Sequence, residues 1–402
     1  MALISEISDD ASNGGDPRKN PQEEVENQNE NPKEEDQEVE KLAPVTLYIP
    51  EGLVESILLL VERCNYPKLS LFSRSFHHVI SSPELYQRRS QLGLTEPVLY
   101  ALIRFRFPRN RLPCWYILNR NVPRNISLRL TEVRSLPPMN LGSAVVTIGY
   151  EMYVIGGDNG RYRSTSDVLL IDCRFHTRRS LPRMQRSRYS AAAGVIDGKI
   201  YVIGGCEQRD DNWVEVFDTD TQTWSSVPVP GPFPGPFPIF NQNGAFMAYI
   251  VMQERIYIMD LMDCFAYEQR QGILHHVREF ECHQMCHNGC CVVEDLLYSI
   301  DPLCLSESPI VACDPNDFVW RPVVGEFFSP NLNYYECKLA NICGNLMVIG
   351  PTKDRQGRQD VWCVEIVLKR LEGGEIQGKV VSRSLVLKSV DLGSIDLCRS
   401  TF

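Results

Sequence analysis

The sequence predicts an α+β multidomain chain: a disordered acidic tail, a small three-helix unit, and an all-β propeller. Three observations predict it. Residues 1–40 carry thirteen acidic side chains against three basic ones (Arg18, Lys19 and Lys33). Residues 47–93 then place apolar side chains at three- and four-residue spacing. Beyond residue 97 the pattern turns to short apolar runs, and Tyr153-Val-Ile-Gly-Gly157 returns as Tyr201-Val-Ile-Gly-Gly205, 48 residues later.

The 402 residues suffice for two or three domains at ~100–200 residues each. Net charge is −10, and residues 1–40 alone account for it. The remaining 38 acidic and 38 basic side chains balance, so no nucleic-acid partner is expected; such a body would show a basic surplus. Residues 1–43 are rich in Glu, Asn, Gln and Asp and lack any aromatic side chain. Such a segment buries too little apolar surface to offset its chain entropy, which predicts disorder. The first residues show neither a basic nor an apolar stretch of a secretory signal. Apolar runs such as Ile57 to Val61 are far too short to span a bilayer, so no membrane partner is expected. Fifteen cysteines without a signal point to reduced thiols in the cytoplasm or nucleus.

Residues 44–95 form the helical unit. Pro50 suits the first turn of a helix, with Glu51 near the positive end of its dipole. Leu53, Ile57, Leu60 and Val61 mark one stripe, widened by Val54 and Leu58. After Tyr66-Pro67 a second stripe follows: Leu69, Phe72, Phe76, Val79, Ile80. Ser82 caps a third helix with Pro83 at its first position, Leu85, Tyr86 and Leu92 form its apolar edge, and Gly93 ends it. Three short helices make a core that is marginal alone and leans on a partner. An interface is therefore expected here.

Residues 97–402 form the propeller. Weaker echoes of the pentapeptide appear at Tyr257-Ile-Met, Tyr298-Ser-Ile and Met347-Val-Ile-Gly350. A second landmark is Asp followed six residues on by Trp, at Asp218 with Trp224 and Asp314 with Trp320. Asp172 with Arg178 takes that place in the first repeat, and Tyr267 with Ile273 in the third. The run before Gly-Gly reads as an inner strand buried on both faces, the glycines as points of close backbone approach, and the Asp as a turn. One such sheet cannot cover its own faces, so several must be set radially. Repeats span roughly 140–185, 186–230, 236–280, 281–325 and 330–385, with closing strands from 97–139 and the C-terminal run. Ser135-Leu-Pro-Pro-Met139 echoes Ser180-Leu-Pro-Arg-Met184 and supports an earlier partial unit. Six blades are expected, with five left open.

Ile49-Pro50-x-x-Leu53, Leu69-Ser-Leu-Phe-Ser73-x-x-Phe76 and Ser82-Pro-Glu-Leu-Tyr86 resemble an F-box, and the Tyr-Val-Ile-Gly-Gly and Asp-x5-Trp units resemble kelch repeats. Together, followed by Thr95-Glu-Pro-Val-Leu-Tyr100, they resemble the plant-type F-box/kelch proteins over roughly residues 45–390. Departures are Ile49 for the usual Leu, and Met259-Asp260, Asp301-Pro302 and Gly350-Pro351 where Gly-Gly is usual. The resemblance implies that the helical unit binds a Skp-family adaptor of a cullin–RING ubiquitin ligase, and that the propeller holds a protein target. Adaptor contact is expected at Ile49, Pro50, Leu53, Val54, Ile57 and Leu58, with Leu71, Phe72 and Phe76 in the core.

Loop residues Arg161, Arg163, Arg188 and Tyr189 are candidates for target binding, because Arg and Tyr are favoured at interfaces. Cys282-His-x-x-Cys286-His-x-x-Cys290-Cys291 has zinc-type ligands. On a strand, however, side chains four apart stand about 13 Å from each other, too far for one ion. No metal or other cofactor is expected. His77-His78 and His275-His276 lack a partnered nucleophile, and no P-loop, dinucleotide-binding glycine pattern or Gly-x-Ser-x-Gly elbow occurs. A non-catalytic receptor is the expectation. Its rivals are a propeller enzyme or ligand-binding protein, and a kelch scaffold outside any ligase.

Overall fold

The computed structural model describes residues 49–94, 96–106, 112–121, 127–159, 163–206, 213–228, 248–259, 264–278, 289–325, 332–352 and 359–401. From Ile49 onward they form one unit, few helices on an all-β, propeller-like body. No described helix is long and apolar enough to cross a membrane.

The helices are α1 (Glu51–Leu60), a 3-10 turn (Arg63–Asn65), α2 (Tyr66–Leu69), α3 (Arg74–Ser81) and α4 (Pro83–Gln91). Their core is Val54, Leu58, Tyr66, Val79, Ile80 and Leu85. The second stripe anticipated from sequence is split. Pro67 starts a helix of a single turn, and Ser73, extended and accepting the N–H of Phe76, starts α3 afresh. Arg89 joins the pieces. Buried and positively charged, it donates to the carbonyls of Leu58, Leu59 and Val61 at the C-terminal end of α1 and to the Tyr66 hydroxyl.

The strands form four sheets of four and one of eight. The first holds β1 (Val98–Phe105), β2 (Cys114–Asn121) and β3 (Ser127–Glu132), plus a strand from the far end of the chain. The second is β4 (Ala144–Ile148), β5 (Glu151–Ile155), β6 (Val168–Asp172) and β7 (Thr177–Leu181). The third is β8 (Ala192–Ile196), β9 (Lys199–Ile203), β10 (Val214–Asp218) and β11 (Thr223–Val227). The fourth is β12 (Ala248–Met252), β13 (Arg255–Met259), β14 (Cys264–Glu268) and β15 (Ile273–His276). The eight-stranded sheet begins with β16 (Cys291–Val293), β17 (Leu296–Ile300), β18 (Ile310–Cys313) and β19 (Trp320–Val324). It continues with β20 (Lys338–Ile342), β21 (Asn345–Pro351), β22 (Gln359–Arg370) and β23 (Ile376–Val390). Among the described residues its antiparallel halves pair as strands at two parallel positions, Val323 with Ile376 and Val324 with Gln377, and a shared apolar cluster packs them together.

Finally β24 (Leu392–Thr401) returns to pair antiparallel with β1, from Val98 opposite Thr401 to Phe105 opposite Leu392. First strands touch in succession: β24 with β4, β4 with β8, β8 with β12, β12 with β16, β16 with β20, and β20 with β24. The succession is closed, and apolar clusters fill the spaces between adjacent sheets. One contains Tyr153, Leu170 and Leu181 of the second sheet with Ile200, Val202 and Phe217 of the third.

Both Tyr-Val-Ile-Gly-Gly segments are second strands, β5 and β9, flanked on each side by a paired neighbour. Gly156 and Gly205 carry positive φ, and a Cβ on either would press on the backbone of Arg188 or Tyr189 at about 2.6–2.7 Å. The aspartate turns hold too: Asp218 Oδ1 accepts the N–H groups of Asp220 and Thr221. The third repeat is displaced by one residue from the sequence expectation. Tyr267 pairs with Leu274 as Phe217 pairs with Trp224, so Glu268 and Leu274, not Tyr267 and Ile273, hold the Asp and Trp positions. Leu274 supplies the buried contact there and leaves Ile273 exposed. Where Gly-Gly is lost, other chemistry makes the turn. Asp301 is buried, and its carboxylate accepts the N–H groups of Leu303 and Ser306.

Two polar clusters fix the structure. Arg188 and Glu215, 1% and 0% exposed, form an ion pair at 2.8 Å. Glu215 also accepts the N–H groups of Gln185 and Arg186, and Arg188 donates to the carbonyls of Gly204 and Trp213. The pair thereby ties the segment entering β8 to β9 and β10. The second cluster docks the helices. Arg174, between β6 and β7, pairs with Asp172 at 2.7 Å and donates to the Ser81 carbonyl at the end of α3. Its guanidinium lies 3.7 Å from the Tyr150 ring centre, and Phe175 enters the helical core. Tyr86 of α4 meets Tyr150, with ring centres 5.6 Å apart. The helices thus sit at the end of the second sheet formed by the β4–β5 and β6–β7 turns.

Behind this joint, His176 Nε2 lies 2.8 Å from the Tyr100 hydroxyl. Burial first, and then the Arg63 charge, push its pKa down to about 4, while Asp172 acts the other way.

Two expectations follow. Glu215→Ala leaves Arg188 charged and unpaired in the interior, which costs about 3–5 kcal/mol, read as a fall in the urea midpoint of unfolding; an unchanged midpoint contradicts it. For His176 the folded pKa lies below the unfolded value of about 6.5, so the unfolded chain binds more protons in that interval. Its contribution is complete above pH ~6.5 and is lost as pH falls towards 4. His176→Gln should flatten the stability profile in that window; a profile of unchanged slope contradicts this.

Candidate functional site

The residues expected to meet a partner divide into two groups on the helical unit. Val54 and Leu58 are fully buried beneath Val79, Ile80 and Leu85, and are core rather than contact. Leu53 is 54% exposed, Ile57 is half-buried, Pro50 is exposed, and Ile49 is half-buried against the same core. Conversely, Leu71 and Phe72, expected in the core, are 85% and 77% exposed. They follow the single turn of α2 and precede the Ser73 cap, so no helix turns them inward. Phe76 is partly buried against the core as expected. Leu60, at 86%, adds to the exposed apolar set.

Sequence periodicity marked the apolar residues of α1 but could not choose which of them face inward. On a helix of ten residues with Leu, Val or Ile at six positions, two stripes compete, and the neighbouring elements decide between them. Large apolar side chains this exposed are the informative departure from a soluble surface.

The loop candidates also separate. Arg163 is exposed in the β5–β6 connection, its backbone N–H donating to Asp158. Tyr189 is half-buried beside the glycine turn at Gly142. Arg188 is interior, its guanidinium occupied by Glu215 and two carbonyls, so its role is structural and no face of it meets a target. Arg161 lies outside the described residues, as do Cys282, His283, Cys286 and His287. Antiparallel order places the β5–β6 connection at the opposite end of the second sheet from the turns that carry the helices. Arg163 and Tyr189 belong to that opposite end.

Among the described residues, no three His, Cys, Asp or Glu side chains converge as metal ligands. Burial lowers the pKa of Lys338 and raises that of Cys398, which line a cavity of about 90 Å³ between the first strands. Arg89 was not singled out by sequence reading. Its signal is a basic residue in the last turn of α4, but its carbonyl partners lie some 30 residues away and no local pattern reveals them.

Comparison with known proteins gives these contacts a setting. A family model described as FKB95, Kelch-repeats domain, matches residues 115–387. An F-box/LRR-repeat/kelch-repeat protein of Arabidopsis thaliana is 52% identical over all of this chain and 99% of its own length. A putative F-box/kelch-repeat protein of the same plant is 50% identical with the same coverage, and another F-box/kelch-repeat protein is 47% identical. The solved structure of YjhT aligns over 66% of this chain and 91% of its own at 12% identity and a TM-score of 0.44, too distant to add to the argument. With a repeat match over more than half its length and full-length relatives near half-identical, the chain belongs to the F-box/kelch-repeat protein family.

Proposed function

We propose that the chain is the target-recognition subunit of a Skp–cullin–F-box ubiquitin ligase: the helices, residues 44–95, are an F-box that binds a Skp-family adaptor, and residues 97–402 hold the target. The observation that carries this reading is the exposed apolar set on the helical unit. Leu53, Leu71 and Phe72, within the F-box-like motifs, and Leu60, between them, lie in the solvent of the isolated chain. A domain this small gains stability when such a surface is covered. Family membership supports the same reading, since relatives carry F-box in their names.

The eight-stranded sheet counts as two blades, giving a six-bladed ring in which β24 beside β1 closes the circle. The closed succession of six first strands supports that count. The two ends of the second sheet have different tasks. The turns at Tyr150 and Arg174 carry the F-box, and the opposite end, with Arg163 and Tyr189, is left for the target. The chain performs no chemistry itself. Its contribution is effective concentration, making the encounter of target lysine and ubiquitin-loaded enzyme intramolecular. It acts in the cytoplasm or nucleus, where its cysteines stay reduced.

Truncating a hot-spot side chain costs ~2 kcal/mol or more, about 25-fold in affinity. Leu53→Ala and Phe72→Ala should each weaken capture of purified Skp-family adaptor by that factor with thermal midpoints unchanged. Val54→Ala should instead lower the midpoint, because its side chain is core. Full adaptor capture by both surface variants would remove the proposed interface. Arg174→Ala should leave adaptor affinity intact but lower ubiquitin transfer to a bound target, by loosening the joint between F-box and ring; unchanged transfer would sink that role.

A further inference from the structure

One groove between adjacent sheets lacks the side chain that seals its neighbour. In the third sheet Trp224 is paired opposite Phe217, and its ring centre lies 5.0 Å from that ring. Its indole N–H donates to the Pro182 carbonyl at 2.8 Å, and the ring packs on the cluster shared with the second sheet. Two residues on, the Ser226 hydroxyl meets Gln185 at 2.8 Å. Together they stitch the third sheet to the segment leaving the second.

One sheet earlier the same ladder places Arg178 opposite Ile171, at the tryptophan position. Ser180 corresponds to Ser226. The segment leaving the first sheet, Ser135-Leu-Pro-Pro-Met139, repeats Ser180-Leu-Pro-Arg-Met184, so Pro137 stands for Pro182 and Asn140 for Gln185. The stitching is absent here: among the described residues neither the Arg178 nor the Ser180 side chain makes a hydrogen bond or ion pair. What remains is a groove of about 360 Å³ lined by Pro137, Pro138, Asn140, Arg178, Ser180 and Arg183. Leu169 adds apolar surface, and the buried Trp115 lies beneath it. Arg178 is exposed, and Arg183 pairs with Asp167 at an ion pair exposed on both sides and therefore weak.

We propose that this groove docks a tryptophan side chain of the target protein, flanked by acidic residues. The indole takes the place that Trp224 occupies next door, donating its N–H to the Pro137 carbonyl. The flanking carboxylates meet Arg178 and Arg183. An aromatic seated in a part-apolar slot with a single acceptor for its N–H is the pattern of an interface hot spot, and two arginines at its edge select acidic sequence. The site rests on the propeller being the target-binding part of the chain, but does not involve the helices or the adaptor.

The test is an anisotropy titration of the full chain with a labelled, blocked peptide Glu-Asp-Trp-Asp-Glu. Saturable binding is expected, weakened at least tenfold when the peptide tryptophan is replaced by alanine. Arg178→Trp supplies the missing stitch from within and should abolish binding while holding or raising the thermal midpoint. Arg178→Glu, at an exposed position that keeps the fold, should weaken the acidic peptide at least tenfold and favour Lys-Lys-Trp-Lys-Lys. No saturable binding to the unaltered chain, equal binding of the alanine peptide, or binding indifferent to both variants would each overturn the proposal. Adaptor capture, measured on the same preparations, stays unchanged throughout. A failed titration with intact capture therefore removes the groove alone, whereas lost capture bears on the ligase reading.

Discussion

Mutual burial of neighbouring sheets is the constraint on which the rest depends. Each four-stranded meander has apolar side chains on both faces, and neither face can be covered by the sheet's own loops. Clusters that mix residues from successive sheets show where the coverage comes from: Ile196, Tyr201 and Val216 of the third sheet pack with Ile256, Phe265 and Tyr267 of the fourth. Such a series has no natural stop. It is stopped by β24, which brings Thr401 opposite Val98 and pairs with β1 along its length. The first sheet is therefore assembled from both ends of the strand region, and its core includes Leu99 and Ile103 with Val361, Ile395 and Cys398. Loop-closure entropy for that contact is large only once, because it grows slowly with length, while the apolar area buried on both faces is recovered at every sheet.

The closed body then supplies rigid positions on its turns. Arg174 is held by Asp172, by the Tyr150 ring and by the Ser81 carbonyl, so the helical unit is tied at several points rather than strung on a linker. The proposed receptor role, holding a target at a set distance from a reaction centre, calls for this kind of joint. The small helical core could not supply it alone. Its own polar centre, Arg89, satisfies three carbonyls at the end of α1 and reaches Glu96 just before β1.

Much of the fold was legible because repeated structure repeats its sequence. Identical pentapeptides 48 residues apart became β5 and β9 in the same register, and Asp218 and Asp314 each turn the chain by accepting nearby N–H groups. Legibility ended where a landmark side chain was replaced. In the fourth sheet neither Asp nor Trp survives, and the register slipped by one until strand pairing placed Glu268 and Leu274. Buried charge was illegible for a different reason. A charged side chain reads as surface unless its partner is visible, and Glu215 lies 27 residues from Arg188, on β10. The exposed face of α1 was half legible: the stripe was evident, but Val54 and Leu58 face inward only because Tyr66, Val79 and Ile80 arrive from elements whose packing no local spacing encodes.

The account turns on whether the helical unit covers its exposed apolar surface with a ligase adaptor while the ring stays free to hold a target. Amide hydrogen exchange on the full chain, with and without purified Skp-family adaptor, tests this most directly. The account predicts new protection confined to residues 49–61 and 70–73, with the strands unchanged. Exchange that is identical in both samples, or protection that appears on the propeller and spares the helices, would contradict it.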